Sequence, residues 1–302
     1  MKAIVLLNGQ AGSLQGDAGR TLRERLEKAL RENGVEAEIR ACDGGAMEKE
    51  ARDACAQPIG MLLAGGGDGS LNAVVNGMAG TDIALGVLPL GTLNHFAKDL
   101  GIPLEIDAAV SVLKAGAVRR VDLGEVNGRL FLNNSSIGLY PRIVRHRDAQ
   151  RETLGRGKWW AMALSAMHVL RTFPLISVRI QTDGETRVLT TPFVFLGNND
   201  YRMDLLNLGT REGLEGGQLS VSLARCDTRW GLLKLAVRGV LGRLRQERDF
   251  LHLLTADLEI AMARPAVDVS VDGEILRMPL PLRYAIRPKA LAVYAPSSPD
   301  HA

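Results

Sequence analysis

IGMLLAGGGDGSLNAVVNGM, residues 59–78, decides the fold. Ile59 to Ala64 is apolar enough to be a strand buried on both faces. The run then breaks into Gly65-Gly66-Gly67-Asp68-Gly69-Ser70, and its spacing predicts a helix over roughly 70–79. The same strand–turn–helix unit recurs on either side. Upstream, residues 3–7 (AIVLL) read as a strand. A helix over about 18–33 follows, with Leu22, Leu26, Ala29 and Leu30 on one face and Asn33-Gly34 as its stop. A second strand is predicted over 35–41 and a second helix over 46–56. Downstream, Ile83 to Leu88 forms the fourth strand, then a sharp Pro89-Leu90-Gly91 turn and a helix over about 93–100. Strands and helices alternating at this spacing build a parallel sheet covered on both faces.

Beyond about residue 120 the rhythm changes. Stretches 119–126, 129–137, 175–181, 186–196, 217–224, 256–262, 266–272 and 282–294 are strand-like and separated by turns. Only two clear helical patterns interrupt them. The chain therefore divides into an N-terminal α/β domain over 1–125 and a mostly antiparallel domain over 126–302. A frayed tail is expected from Pro296 to Ala302.

Composition narrows the function. With 37 basic and 34 acidic residues in 302, the net charge of +3 lacks the basic surplus of a nucleic-acid binder. Cys42, Cys55 and Cys226 are far apart and form no CxxC pair, so neither a disulfide framework nor a zinc site is indicated and a reducing cytoplasm fits. The apolar run near the N-terminus is too short for a signal segment, and no run reaches the ~20 residues of a spanning helix.

Three clusters carry chemistry. At 65–70, consecutive glycines allow close backbone approach to a phosphate chain, and the following helix start offers N–H groups to negative charge. No GxxxxGK[ST] occurs, and the last glycine of a Rossmann fingerprint is missing. The competing reading is a tight turn in which Asp68 caps the helix. The second cluster, LGVLPLGTLNHFAKDLGIP at 85–103, would place another glycine turn at the same carboxyl edge of the sheet, with Thr92 and Asn94 as polar side chains. His95, read as one turn into a helix, suits packing or capping better than chemistry. The third is Val271-Asp272-Gly273-Glu274. Its geometry suits a hairpin turn, yet either carboxylate could act as a general base on a hydroxyl.

In this order, LLNGQAGS, LLAGGGDGSLNAVVNGM, LGVLPLGTLNHFAKDLGIP and VSVDGE resemble the diacylglycerol kinase catalytic family, including bacterial lipid kinases and the more distant sphingosine kinases. The resemblance implies an ATP-binding α/β domain with a parallel sheet of the NAD kinase/diacylglycerol kinase type, a β-sandwich-like C-terminal domain, and an active site in the cleft between them. It also implies a last strand returning to the first domain, which Leu291 to Ala295 could do. Carried over residue by residue, it implies nucleotide contacts at Asn8, Gly66, Gly67, Asp68, Gly69, Ser70, Leu71, Asn72 and Thr92, with Ser70 in place of the usual Thr. It implies Glu274 as proton acceptor, Asp272 as a competitor for that role, and Asp68 as the acid near the phosphates and magnesium. Three positions depart from the family. Ala73 replaces the acid of the usual Asn-Glu pair, Ala41 replaces a Thr, and Gly216 stands where an Asp helps to bind a structural magnesium. Gly216 has no side-chain oxygen, so only Glu215 could substitute and no protein metal ligand is assigned.

Residues 228–245 place Trp230, Leu233, Val237, Val240, Leu241 and Leu244 on one helical stripe flanked by Lys234, Arg238 and Arg245. That pattern fits a membrane surface or an ordinary core face. Residues 158–170 are apolar all round, and the arginines from Arg142 to Arg156 could attract anionic lipid. The resulting expectation is a cytoplasmic kinase, peripheral at the inner membrane face. It would use ATP with ATP-borne Mg2+ to phosphorylate a diacylglycerol-like or sphingoid lipid; a homo-oligomer is compatible with the sequence. The rivals are an NAD-kinase-like phosphotransferase and a non-catalytic nucleotide- or lipid-binding regulator.

Overall fold

The computed structural model describes residues 2–9, 16–138, 175–182, 185–202, 210–211, 213–226 and 249–297, with isolated positions between 228 and 238. The chain divides into two compact units. One comprises Met1–Leu123, Gly213–Gly216 and Arg287–Ala302; the other comprises Gly124–Glu212 and Gly217–Ile286.

The first unit opens with β1 (Lys2–Asn8), α1 (Gly16–Glu32), β2 (Glu36–Cys42), a short 3-10 turn at Gly44–Ala46, α2 (Met47–Cys55) and β3 (Met61–Gly66). It continues with α3 (Asp68–Gly77), β4 (Ala84–Pro89), α4 (His95–Asp99), α5 (Ile106–Ala115) and β5 (Ala117–Val126), whose end passes into the second unit. Strands β2, β1, β3 and β4 pair in that order, all parallel. Residues of β1 and β3 are buried on both faces, as a sheet covered on two sides requires. On one side Ala3, Val5, Leu7, Met61 and Leu63 pack with Leu26, Ala29 and Leu30 of α1 and Ile106 and Val110 of α5. Leu22, Leu26, Ala29 and Leu30 thus meet the core as their spacing predicts. Helix α1 ends where Gly34 turns left-handed at φ 74° and Val35 N–H donates to the Leu30 carbonyl. Helices α2 and α3 pack against each other, and a Cβ on Gly77 would strike the Glu48 carbonyl.

The second unit contains β6 (Arg129–Phe131), β7 (Asn134–Gly138), β8 (Ile176–Thr182), β9 (Glu185–Thr191), β10 (Phe193–Asn198), β11 (Tyr201–Arg202) and β12 (Thr210–Arg211). After these come β13 (Leu219–Ala224), β14 (Phe250–Thr255), β15 (Asp257–Ala261), β16 (Ala266–Val271), β17 (Glu274–Pro279) and β18 (Leu282–Ala295). The first half of β18, β15, β8 and β9 form one antiparallel sheet; β14-β13-β10-β7-β16-β17 form a second. Val178, Ile180, Ile260 and Tyr284 of one sheet share a core with Ile137, Leu196, Val221 and Val269 of the other, which makes a sandwich. Within the first unit, the last part of β18 pairs parallel with β4, through Val293 and Leu85.

Several expected elements differ. The strand read over 129–137 is two, because Leu132 and Asn133 turn their N–H groups onto the Asp272 carboxylate instead of a ladder. The strand over 186–196 breaks at Pro192, which has no N–H to donate, and the chain changes sheets there. Helix α5 and strand β14 have no counterpart in the sequence reading. The apolar 158–170 segment, the arginines from Arg142 to Arg156 and most of 228–245 lie outside the described residues. Trp230, on the apolar stripe read as a membrane-facing or a core face, is 74% exposed.

Candidate active site

The chain runs from β1 outward to β2 and then across to β3, so the strand order reverses between β1 and β3. In open α/β sheets the crevice beyond the carboxyl ends at such a point takes ligands. Asn8 ends β1, the glycine loop follows β3, and Asn8 Nδ2 donates to Ser70 Oγ at 2.9 Å across that reversal. Helix α3 begins one residue after β3, with extended Gly67 as its N-cap and no side chain capping it. Its opening N–H groups are therefore presented outward, where the partial positive charge of the helix end favours an anion.

The neighbouring turn is fixed by register. Gly66 pairs with Pro89, and Leu90 N–H donates to the Gly66 carbonyl at 3.2 Å. The two turns touch at bare backbone: a Cβ on Gly91 would overlap the Gly67 Cα, and one on Gly66 would lie 2.7 Å from Ser70 Oγ. A side chain at Gly91 would push the two turns apart, and one at Gly66 would displace Ser70, which explains these two glycines without invoking a ligand.

Asp68 does not cap its own helix, as the competing reading of the glycine turn supposed. It is the first residue of α3, and its carboxylate reaches α4. Oδ2 accepts the His95 N–H at 3.2 Å and Oδ1 the Phe96 N–H at 3.1 Å. His95 is likewise the first residue of α4, not one turn into it. Asn94, at φ 49°, is buried and turned inward. Its Oδ1 accepts the Gly91 N–H at 3.0 Å and its Nδ2 donates to the Gly91 carbonyl at 2.8 Å. Thr92 is exposed on the turn. Leu71 is core, and its N–H donates to the Gly67 carbonyl at 3.0 Å. Asn72 is buried, with Oδ1 accepting from Asn76 at 3.1 Å. Of the residues expected at the nucleotide, the geometry brings together Asn8, the Gly66–Ser70 backbone, Ser70 Oγ and the Gly91–Thr92 turn. Cys42, opposite Asn8 in the β1–β2 register, is half-buried, and desolvation pushes its thiol up.

The third cluster belongs to the second unit. Asp272 and Gly273 have φ values of 46° and 89° and join β16 to β17 as a two-residue hairpin turn. Asp272 accepts N–H groups from Leu132 at 2.7 Å, Asn133 at 2.8 Å and Asn134 at 3.0 Å. Glu274, two residues on, is exposed; Arg129 Nη2 lies 3.9 Å from its Oε2.

The diacylglycerol kinase catalytic domain model matches residues 2–126, and the YegS C-terminal NAD kinase beta sandwich-like domain model matches residues 135–295. The "Probable lipid kinase YegS-like" protein of Pseudomonas putida KT2440 is 30% identical over 98% of this chain and 96% of its own length. The chain belongs to this family of kinases. The diacylglycerol kinase of Bacillus subtilis is 35% identical over 54% of this kinase and 53% of its own length. A crystal structure of a diacylglycerol kinase from Bacillus anthracis superposes with a TM-score of 0.68, at 21% identity, over 97% of this chain and 96% of the other.

The family's structural magnesium site does not fit the residues of this kinase. Gly216 offers no side-chain oxygen, and the Glu215 carboxylate accepts Arg119 Nη2 at 2.7 Å and Nε at 3.2 Å. A cation would have to displace that guanidinium. Among the described residues no group of three or more His, Cys, Asp or Glu is placed to hold a metal. Sequence reasoning missed Asn133, Asn198 and Arg211, which surround the Asp272 turn; the Asn133-Asn134 and Asn198-Asn199 pairs were the available signal.

Proposed function

We propose that this kinase transfers the γ-phosphoryl group of ATP to a hydroxyl of a diacylglycerol-like or sphingoid lipid at a membrane surface. One observation carries the reading: the uncapped start of α3, seated at the strand-order reversal and flanked by the Asn8–Ser70 bond. Backbone N–H groups of the glycine loop hold the ATP phosphates, which arrive with their magnesium. Ser70 Oγ, already accepting from Asn8, turns its proton to a phosphate oxygen, and Thr92 adds a second hydroxyl. Asp68 orders the 89–94 turn by holding α4, so its charge is committed to backbone. Glu274 takes the proton of the attacking lipid hydroxyl. It is preferred to Asp272 because three N–H groups already occupy the Asp272 carboxylate. Among the described residues no helix is long and apolar enough to cross a membrane. Exposed Trp230 and Lys234 suit contact with an anionic leaflet from the cytoplasmic side.

The experiment is transfer from γ-labelled ATP to a total lipid extract, with the labelled product identified by mass and NAD offered in parallel. Label in a phosphorylated glycerolipid or sphingoid base supports the reading. Label in NADP transfers the assignment to an NAD-kinase-like reaction, and label in neither leaves a binding protein.

A further inference from the structure

One peptide group of the second unit lies between a cation and an anion. The Leu132 carbonyl accepts Arg211 Nη1 at 2.8 Å and Asn198 Nδ2 at 2.9 Å. The N–H of the same peptide group, that of Asn133, donates to Asp272 Oδ1 at 2.8 Å. The guanidinium is held from several directions. Its Nη2 donates to Asn133 Oδ1 at 2.9 Å, its Nη1 also reaches the Asn198 carbonyl at 3.2 Å, and its carbon lies 5.8 Å from the Tyr201 ring centroid. The Asn198 N–H donates to the Asn133 carbonyl at 2.9 Å, which ties β10 to the same segment.

A peptide with a guanidinium on its oxygen and a carboxylate on its N–H is polarised at both ends, and each bond strengthens the other. Segment 132–134 is thereby clamped, and Asp272 is clamped to it, because the Asp272 N–H also donates to the Asn134 carbonyl at 2.9 Å. Asp272 is the first residue of the hairpin turn, and Glu274 is the first residue after it, paired with Val271. The place of the Glu274 backbone is therefore set by Asp272 and, through one peptide, by Arg211 and Asn198.

We propose that Arg211 and Asn198 are positioning residues for Glu274 in phosphoryl transfer; this rests on the reading of Glu274 as the base. A misplacement near 1 Å can cost about 10²-fold in rate. Arg211→Met should accordingly lower kcat by about that factor and leave KM for ATP unchanged, since the proposed nucleotide residues lie in the other unit. Arg211→Lys keeps the charge on a single donor nitrogen, and should recover part of the loss. The deciding measurement is the double variant Arg211→Met/Glu274→Gln, assayed as folded protein well below its melting temperature.

If Arg211 acts through Glu274, the double variant is no slower than Glu274→Gln alone. Multiplying losses would overturn the proposal, as would Arg211→Met at full turnover. Should Arg211→Met fail to fold, Asn198→Ser, which removes one bond to the Leu132 carbonyl, enters the same cycle with the same two outcomes. Glu274→Gln at full turnover would remove the base assignment itself, and the positioning role with it. That failure is recognised without any Arg211 variant.

Discussion

The glycine loop of the first unit and the hairpin turn of the second each carry an aspartate in the motif that matches the family, and both aspartates face backbone. Asp68 spends its two oxygens on the N–H groups of His95 and Phe96. Asp272 spends its two on Leu132, Asn133 and Asn134. Glu274 differs. It is exposed, with Arg129 Nη2 3.9 Å from its Oε2. A carboxylate that already accepts several N–H groups has most of its lone pairs engaged, so taking a substrate proton would cost it those bonds. Under the proposed mechanism the two aspartates build their turns, and Glu274, longer and exposed, takes the proton.

The largest expected effect tests that division directly. Glu274→Gln keeps the shape but cannot take a proton, so kcat should fall about 10²–10⁴-fold with the melting temperature unchanged. Asp272→Asn should behave otherwise. Its amide nitrogen faces an N–H, donor against donor, and the lost charge-assisted bonds are worth about 3 kcal/mol, so the melting temperature should drop several degrees along with turnover. A turnover loss with unchanged melting in Asp272→Asn, and a silent Glu274→Gln, would reverse the two roles.

Asp68→Ala comes next. Losing the bonds to α4 should cost about 2 kcal/mol of stability and loosen the 89–94 turn, weakening ATP binding as well. Differential scanning calorimetry and nucleotide titration of the same variant read both. An unchanged melting temperature would mean that Asp68 does not hold α4. A smaller effect is expected from Trp230→Ala: activity on anionic vesicles should fall several-fold, while activity on a short-chain, monomerically dispersed lipid should hold. Equal losses on both substrates would place Trp230 away from the membrane. The smallest is Glu215→Ala. Its ion pair with Arg119 is part-exposed, and such pairs are worth about 0–1 kcal/mol. The variant should melt within about a degree of wild type. Calorimetric titration of the nucleotide-free protein with magnesium should show no tight site in either form. A tight site lost in the variant would show that Glu215 can exchange Arg119 for a cation.

Local pattern carried most of the first unit. Apolar runs such as Ile4–Leu7 and Met61–Ala64, the 3.6-residue spacing of Leu22, Leu26, Ala29 and Leu30, and the glycines before α3 are short-range signals, and each became the element it predicts. Helix α5 was equally local: Ile106, Val110 and Leu113 meet the same core at helical spacing. Strand β14 was harder, because FLHLLT has only one β-branched residue and fits a helix as well.

What the sequence determined by itself was the alternation of strand and helix, the change to antiparallel strands, and the places of the glycine loop and the DGE turn along the chain. Neighbours along the chain are enough to specify those. The tertiary structure alone decided which groups the two aspartates bind. Asp68 meets partners 27 and 28 residues away, and Asp272 meets partners 138 to 140 residues away. A hydrogen bond between groups so distant in sequence depends on strand order and register, and these follow from the burial of the whole sheet rather than from any local residue preference.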